Sequence, residues 1–213
     1  MKIIFIGAPG SGKGTQSREF IEKHGFVQLS TGDVLRAAIK AGTELGNLAK
    51  SYMDQGKLVP DTVMIDLVKN YMSEQSGKSV ILDGFPRTVA QAESLDAMLK
   101  SKSDKIDKVI YFKINPQILI DRLTGRRTCT NCGEIYHVRT KPSKAAEVCD
   151  KCGGSIVQRP DDQESVISER LNQFENNTGP TIQYYQKLGN LVEVDSALEP
   201  SEVFKQIQKS LSL

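Results

Sequence analysis

A glycine-rich segment near the start of the chain has the residue types needed to hold a phosphate group. It runs from Gly7 to Thr15, between a short apolar stretch and a helical pattern. Glycines let the backbone curl so that successive N–H groups face one anion, and the helix that follows adds its positive end. Lys13 supplies a mobile charge for the outer phosphates, and Thr15 supplies a hydroxyl beside their metal ion. The segment predicts a nucleotide phosphate loop. A plain strand-to-helix turn is the alternative, and the motif alone does not separate a kinase from a GTPase.

All four cysteines lie in one short segment as two Cys-x-x-Cys pairs. Cys129 and Cys132 form the first pair, and Cys149 and Cys152 form the second. This spacing is typical of a structural zinc site, in which four thiolates leave the metal no open position for catalysis. We expect zinc, or another thiophilic metal, to stiffen a segment too polar to bury a core. The alternatives are two disulfides, four free thiols, or a zinc ribbon that grips nucleic acid. Acidic residues among the basic ones argue against the ribbon.

Arginines stand at the ends of several predicted elements, where they suit phosphate chemistry. They are Arg36, Arg87, Arg122, Arg126, Arg159 and Arg170. Arginine binds phosphate oxygens in a bidentate manner, and phosphoryl transfer needs positioning and cationic clamps more than covalent help. A phosphate acceptor is already anionic, so no general base is needed, and we expect His24 and His137 to be surface residues without a catalytic role. Asp161 and Asp162 are expected to cap the next helix or, as an alternative, to serve a metal.

Five apolar segments predict the strands of a doubly wound parallel sheet. They are Lys2–Gly7, Phe26–Ser30, Ser79–Asp83, Lys108–Ile114 and Leu191–Asp195. Most of them lack strict alternation, which favours burial on both faces of the sheet. Helical patterns follow them, at Gly14–His24 (with Phe20 and Ile21 facing inward), Thr88–Leu99, Pro116–Leu123 and Pro200–Leu211. Alternation of strands and helices predicts an α/β fold, whose ligands bind at the carboxyl ends of the strands.

Two stretches interrupt this alternation and are expected to be insertions into the core. Residues 30–59 contain helical pieces broken by glycines, and residues 126–162 contain the cysteines. The core is expected to comprise residues 1–29, 60–125 and 163–213. A net charge of +2 and an apolar run no longer than Ile3–Ile6 argue against nucleic-acid and membrane partners. Clustered cysteines without a signal peptide favour a cytoplasmic protein.

Longer motifs resemble the nucleoside monophosphate kinases, and their order is similar to that of the long-lid bacterial adenylate kinase family. They are Gly10–Thr15 (with Gly14 between lysine and threonine), Leu29–Arg36, Leu82–Thr88 followed by Gln91, Asp121–Arg127 and Arg159–Gln163. The resemblance implies a P-loop fold with an AMP-binding helical insertion and a zinc-binding lid. It also implies a monomer that catalyses the reversible, magnesium-dependent reaction of ATP and AMP to two ADP, in adenine nucleotide homeostasis.

The resemblance implies a role for individual residues as well. The catalytic set would be Lys13, Arg87, Arg122, Arg126, Arg159 and Arg170. ATP would contact Gly10, Ser11, Gly12, Lys13, Gly14, Thr15, Arg126, Ile135, Tyr136 and Leu198. AMP would contact Thr31, Arg36, Lys57, Leu58, Val59, Gly84, Phe85, Pro86, Arg87, Gln91, Arg159 and Arg170. Asp83 would hold magnesium through water. Two alternatives stay open: a kinase for another nucleoside monophosphate, and a nucleotide-dependent switch or nucleic-acid-binding protein that uses the zinc module as its surface.

Overall fold

A five-stranded parallel sheet forms the centre of the computed structural model, which describes residues 1–213. In chain order the strands of the protein are β1 (Lys2–Gly7), β2 (Val27–Ser30), β3 (Val80–Asp83), β4 (Lys108–Lys113), β5 (Arg126–Cys129), β6 (Ile135–His137), β7 (Ile156–Val157) and β8 (Leu191–Asp195). The central sheet has the order β2-β3-β1-β4-β8, and Ile4 of β1 pairs with Leu82 on one side and Val109 on the other. The predicted doubly wound α/β fold is therefore confirmed.

Helices cover the central sheet and also build one of the insertions. They are α1 (Lys13–His24), α2 (Thr31–Ala41), α3 (Glu44–Met53), α4 (Asp61–Glu74), α5 (Val89–Ser101), α6 (Pro116–Thr124), α7 (Glu164–Gln173), α8 (Gly179–Lys187) and α9 (Pro200–Leu211). Asn115 caps α6 by accepting a hydrogen bond from the Gln117 N–H, ahead of Pro116 in the first turn. None of these helices has the length and apolar composition needed to span a membrane.

Both faces of the central sheet are buried, as the apolar strands predict. Ile4 and Ile6 belong to a cluster that includes residues of α4, α5 and α8, whereas Ile3 and Phe5 point to the opposite face. There they pack with residues of α1 and α9, among them Phe20. The prediction that Ile21 also faces inward is wrong, since its side chain is 37% exposed. The buried stripe of α1 holds residues 16, 17 and 20, and position 21 lies about 100° further round the helix.

The two irregular stretches contain their own helices and strands and line the cleft at the carboxyl edge of the sheet. Residues 30–59, called the helical insertion below, contain α2 and α3, which approach closely because Gly46 lies directly against the Ala38 carbonyl. Residues 126–162, called the lid below, contain an antiparallel sheet with the order β6-β5-β7. The apolar interior of the lid is small: Tyr136 and Ile156 pack with two of the cysteines. A short 3₁₀ turn (Pro160–Asp162) then leads into α7.

Candidate functional site

A cleft of about 1020 Å³ opens at the carboxyl edge of the central sheet. The segments that follow β1, β2, β3 and β4 all contribute to it, together with the helical insertion and the lid. Small-molecule sites usually occupy about 300–1,000 Å³, so this cleft lies at the upper end of that range. Parallel sheets of this type bind ligands at this edge because the loops after the strands meet there.

The predicted phosphate loop lines the floor of the cleft between β1 and α1. Gly10 and Gly12 have φ values of 83° and 93°, a left-handed conformation that side chains oppose. The Lys13 ammonium donates to the carbonyls of Gly7 at 2.7 Å and Ala8 at 3.0 Å. Burial lowers the pKa of Lys13 to about 8, while the nearby carboxylate of Asp83 opposes the shift. A buried ammonium held mainly by neutral carbonyls is suited to accept an anionic partner.

Five of the six predicted arginines meet across the cleft from this loop. They come from five separate segments and are Arg36, Arg87, Arg126, Arg159 and Arg170. Burial, together with the positive charge of Arg170, lowers the pKa of Arg87 to about 10. Burial likewise lowers the pKa of Arg159 to about 9, with Arg126 and Arg36 adding to the shift. These arginines raise one another's electrostatic energy, which a bound phosphate would relieve.

The buried carboxylate of Asp162 holds two of these arginines in place. Arg126 binds it in a bidentate manner, with Nε–Oδ2 and Nη2–Oδ1 distances of 2.7 and 2.6 Å, and Arg170 Nη1 donates to Oδ1 at 2.8 Å. The prediction that Asp161 and Asp162 cap the next helix is wrong: Gln163 precedes α7, and no side chain caps it. A buried arginine cluster requires internal counter-ions, and Asp162 is identified as one only when the structure brings the arginines together.

The predicted AMP residues gather where the helical insertion meets β3. The Thr31 hydroxyl and Arg87 Nε both donate to the Gly84 carbonyl, at 3.0 and 2.8 Å. Gln91 is buried, accepting from the Arg87 N–H and donating to Asp61, each at 2.7 Å. Phe85 packs into the core of the sheet and does not line the cleft. The remaining residues of this set line the cleft: Thr31, Arg36, Lys57, Leu58, Val59, Gly84, Pro86, Arg87, Gln91, Arg159 and Arg170.

Leu198 and Arg122, the sixth predicted arginine, lie at the other end of the cleft. Arg122 lines the cleft, and burial lowers its pKa. The charged group that acts on this pKa is the Glu199 carboxylate, which opposes the shift. Gln16, which the sequence reasoning did not single out, donates from Nε2 to the Pro200 carbonyl at 2.8 Å and thereby joins α1 to the start of α9. Its other amide atom is buried and has no protein partner. Only the tertiary contact identifies Gln16.

The four cysteine sulfurs form a compact cluster in the lid. All four lie within 4.8 Å of one another, with Cys129–Cys152 and Cys132–Cys149 distances of 3.5 and 3.6 Å. A tetrahedral zinc with Zn–S bonds of about 2.3 Å separates its sulfurs by about 3.8 Å, so the cluster fits this metal. The Tyr136 hydroxyl lies 3.4 Å from the Cys149 sulfur, and this hydrogen bond, together with those from the Lys151 and Cys152 backbone, lowers the pKa of that thiol to about 6. The predicted zinc ligands are therefore gathered at one point.

His137 joins the lid to the core, so the prediction that it is a surface residue is wrong. Its ring is 9% exposed and lies directly against Gly125, where an added methyl group would collide with it. The Arg139 and Thr140 N–H groups donate to Nδ1, and Nε2 lies 3.2 Å from the Asp121 carbonyl. This pattern requires a neutral ring with its proton on Nε2, and burial lowers the pKa of His137 accordingly. His24, by contrast, is half-buried and stacks on Phe204.

The fold and the cleft define a class of protein: a P-loop nucleotide-binding α/β protein with a helical insertion and a lid that carries four clustered cysteines. A sequence model described as adenylate kinase matches residues 5–190. The chain is 50% identical over 212 residues to an adenylate kinase of Archaeoglobus fulgidus, covering 99% of this chain and 98% of that protein. It is 49% identical over 208 residues to those of Thermodesulfovibrio yellowstonii (97% of each chain) and Syntrophobacter fumaroxidans (97% and 98%). The chain belongs to the adenylate kinase family.

Proposed function

We propose that this protein catalyses the reversible transfer of a phosphoryl group from ATP to AMP to give two ADP, and so helps to balance the adenine nucleotides. The observation that carries the proposal is the convergence of Lys13 and five arginines on one large cleft. Full-length relatives at 49–50% identity, each named adenylate kinase, support it. Two nucleotides bring several negative charges together, and this cluster supplies the matching positive charge.

In this proposal the phosphate loop and the lid bind ATP, and the helical insertion binds AMP. Lys13 leaves the Gly7 and Ala8 carbonyls for the outer phosphates of ATP, and the loop N–H groups of Gly10–Thr15 surround them. Ile135 and Tyr136 cover the nucleotide from the lid, whereas Leu198 lies at its base end. Arg36 and Arg87 hold the AMP phosphate beside Thr31 and Gly84. These roles rest on the positions of the residues around the cleft.

Transfer then needs alignment more than proton chemistry. Arg126 and Arg159 belong to the lid and Arg170 belongs to α7, so a closed lid places all three charges beside the phosphoryl group in flight. The Arg126–Asp162–Arg170 network fixes their geometry in advance. Asp83, at the carboxyl end of β3, would hold magnesium through water, and the ion would neutralise charge on the ATP phosphates. Covering the site also excludes water, which competes with AMP as the acceptor.

Structural zinc in the four-cysteine cluster would make the lid a rigid body. The lid buries few large apolar side chains, whereas fixing the backbone of each residue costs about 1–2 kcal/mol. Zinc sites in small domains contribute roughly 10–16 kcal/mol, enough to support such a unit.

The Arg127 guanidinium and the Gln158 amide both bind the Thr124 carbonyl, at 3.0 and 3.2 Å. We place the lid hinge at this point, next to Gly125.

A coupled assay of ADP formation tests the proposal, with ATP and magnesium supplied together with AMP, CMP, UMP or GMP in separate reactions. We expect rapid turnover with AMP alone. Turnover with another monophosphate would keep the mechanism but reassign the pocket beside Gln91. Folded protein that binds ATP but phosphorylates no acceptor would contradict the proposal. Tight retention on DNA at physiological salt would then favour a nucleic-acid-binding function.

A further inference from the structure

A contact between the lid and α1 lies outside the catalytic cluster. Arg18, on the second turn of α1, donates from Nη1 to Glu134 Oε2 at 3.1 Å and from Nη2 to the Gly133 carbonyl. Gly133 and Glu134 belong to the turn that precedes β6 of the lid. The contact therefore joins the tip of the lid to the helix that begins at the phosphate loop.

The lid itself holds the Glu134 carboxylate ready for this contact. Its second oxygen accepts from Lys141 within the lid at 2.6 Å, and its side chain is only 19% exposed. Lys141 and Glu134 both belong to the lid, so Arg18 is the residue that joins this pair of charges to the core.

The position of the contact separates it from the other links between lid and core. His137 and Arg139 meet Asp121, and Gln158 meets the Thr124 carbonyl. Those links lie beside the hinge, where a rotation of the lid moves atoms least. Arg18 meets the far end of the lid, so this contact forms or breaks when the lid tip moves.

The contact also places one lid residue on the phosphate loop. Ile135 directly follows Glu134, and its Cδ1 atom lies 4.0 Å from the point that a Cβ on Gly14 would occupy. Gly14 lies in the first turn of α1, whose N–H groups face the predicted ATP phosphates. Holding Gly133 and Glu134 against Arg18 thus keeps Ile135 over this turn. No AMP-side residue takes part.

We propose that Arg18 is a positioning residue for ATP: it binds the Gly133–Glu134 turn and so holds the lid over the phosphate loop. This role rests on the function proposed above and concerns the ATP side of the cleft alone. Arg18 is suited to it because a planar guanidinium can bind a carboxylate and a backbone carbonyl together. A lysine offers one point charge and is expected to keep part of the effect.

The test compares the affinities of Arg18→Ala, Arg18→Lys and a control, Lys2→Ala, for a non-hydrolysable ATP analogue with magnesium, measured by calorimetry. Lys2 forms an ion pair with Asp104 at the opposite edge of the sheet, so the control removes an equal charge. We expect Arg18→Ala to weaken analogue binding and to raise the KM for ATP about 3–10-fold. The KM for AMP stays within twofold of the wild type, Arg18→Lys is intermediate, and Lys2→Ala matches the wild type.

A double variant and hydrogen exchange complete the test. Arg18→Ala combined with Glu134→Ala is expected to bind the analogue about as weakly as Arg18→Ala alone, because both substitutions remove the Arg18–Glu134 contact and the Glu134–Lys141 pair lies within the lid. Amides of residues 133–141 are expected to exchange faster in analogue-bound Arg18→Ala than in the wild type. Unchanged analogue affinity, an equal rise in both KM values, or additive losses in the double variant would overturn the proposal. Should the wild type bind the analogue but phosphorylate no acceptor, the proposed function fails, while these affinities still decide the role of Arg18.

Discussion

Replacing Asp162 by asparagine tests whether one buried carboxylate organises two of the arginines that we propose to be catalytic. Its side chain is fully buried and accepts three charged hydrogen bonds of 2.6–2.8 Å from Arg126 and Arg170. Asparagine keeps the shape but turns one acceptor into a donor that faces a guanidinium, and it leaves two buried cations without this counter-ion. Breaking a buried ion pair in this way costs about 3–5 kcal/mol. For a chain of this length each kcal/mol lowers the melting temperature by about 2–4 °C, so we expect a fall of roughly 6–20 °C.

The activity of this variant is expected to fall as well, because both arginines lose their alignment. A displacement of about 1 Å in such a group can reduce turnover by about 10²-fold. Scanning calorimetry and the coupled ADP assay measure the two effects. Asp161→Asn is the matched control, since that carboxylate has a single contact, to Arg170 at 3.2 Å, and should lose about 1.5 kcal/mol. A melting temperature within about 2 °C of the wild type and unchanged turnover for Asp162→Asn would refute the reasoning.

Three further predictions concern the metal, the phosphate loop and the hinge. Cys129→Ser is expected to release zinc and to lower the melting temperature more than it lowers turnover at moderate temperature; an unchanged melting curve after zinc loss would count against a structural metal. Because the pKa of Lys13 is lowered to about 8, its charge is lost above that pH, and kcat/KM for ATP should fall about tenfold per pH unit there. Turnover at saturating ATP should persist to higher pH, since bound phosphate favours the protonated lysine; identical profiles would contradict this. Gly125→Ala should displace the His137 ring and raise the KM for ATP more than that for AMP, whereas equal effects would argue against a lid hinge at this point.

Much of the fold was predictable because short-range patterns encode it. The strands of the central sheet begin and end within a residue of their predicted bounds. A short apolar run between turn residues is typical of a buried strand, and the turn residues mark where it ends. Phe20 and Ile21 show the limit: both are apolar neighbours on α1, yet only Phe20 meets α9. Which neighbour is buried depends on the helix that packs there, and a single helical pattern does not contain that information.

The residues of the candidate site fall into two groups: those that local motifs predict and those that only tertiary contacts identify. Lys13, the glycines around it and the paired cysteines are local motifs, because one turn of backbone can arrange all the atoms that face a phosphate or a metal. The roles of Asp162, Gln16 and His137 are not local. Each binds a group far away in the chain, and a sequence read alone leaves such a residue as a cap, a polar surface position or an ordinary histidine.

The sequence by itself thus determined the chemistry that this protein can perform: phosphate binding by the loop, charge from the arginines, and four thiolates for a metal. Only the tertiary structure decided how those groups are held. It separated Arg122 from the other five arginines, gave Arg126 and Arg170 a shared counter-ion, and brought the tip of the lid to Arg18. The physical reason is that burial and charge pairing depend on distances between segments, which the chain acquires only when all of them pack together.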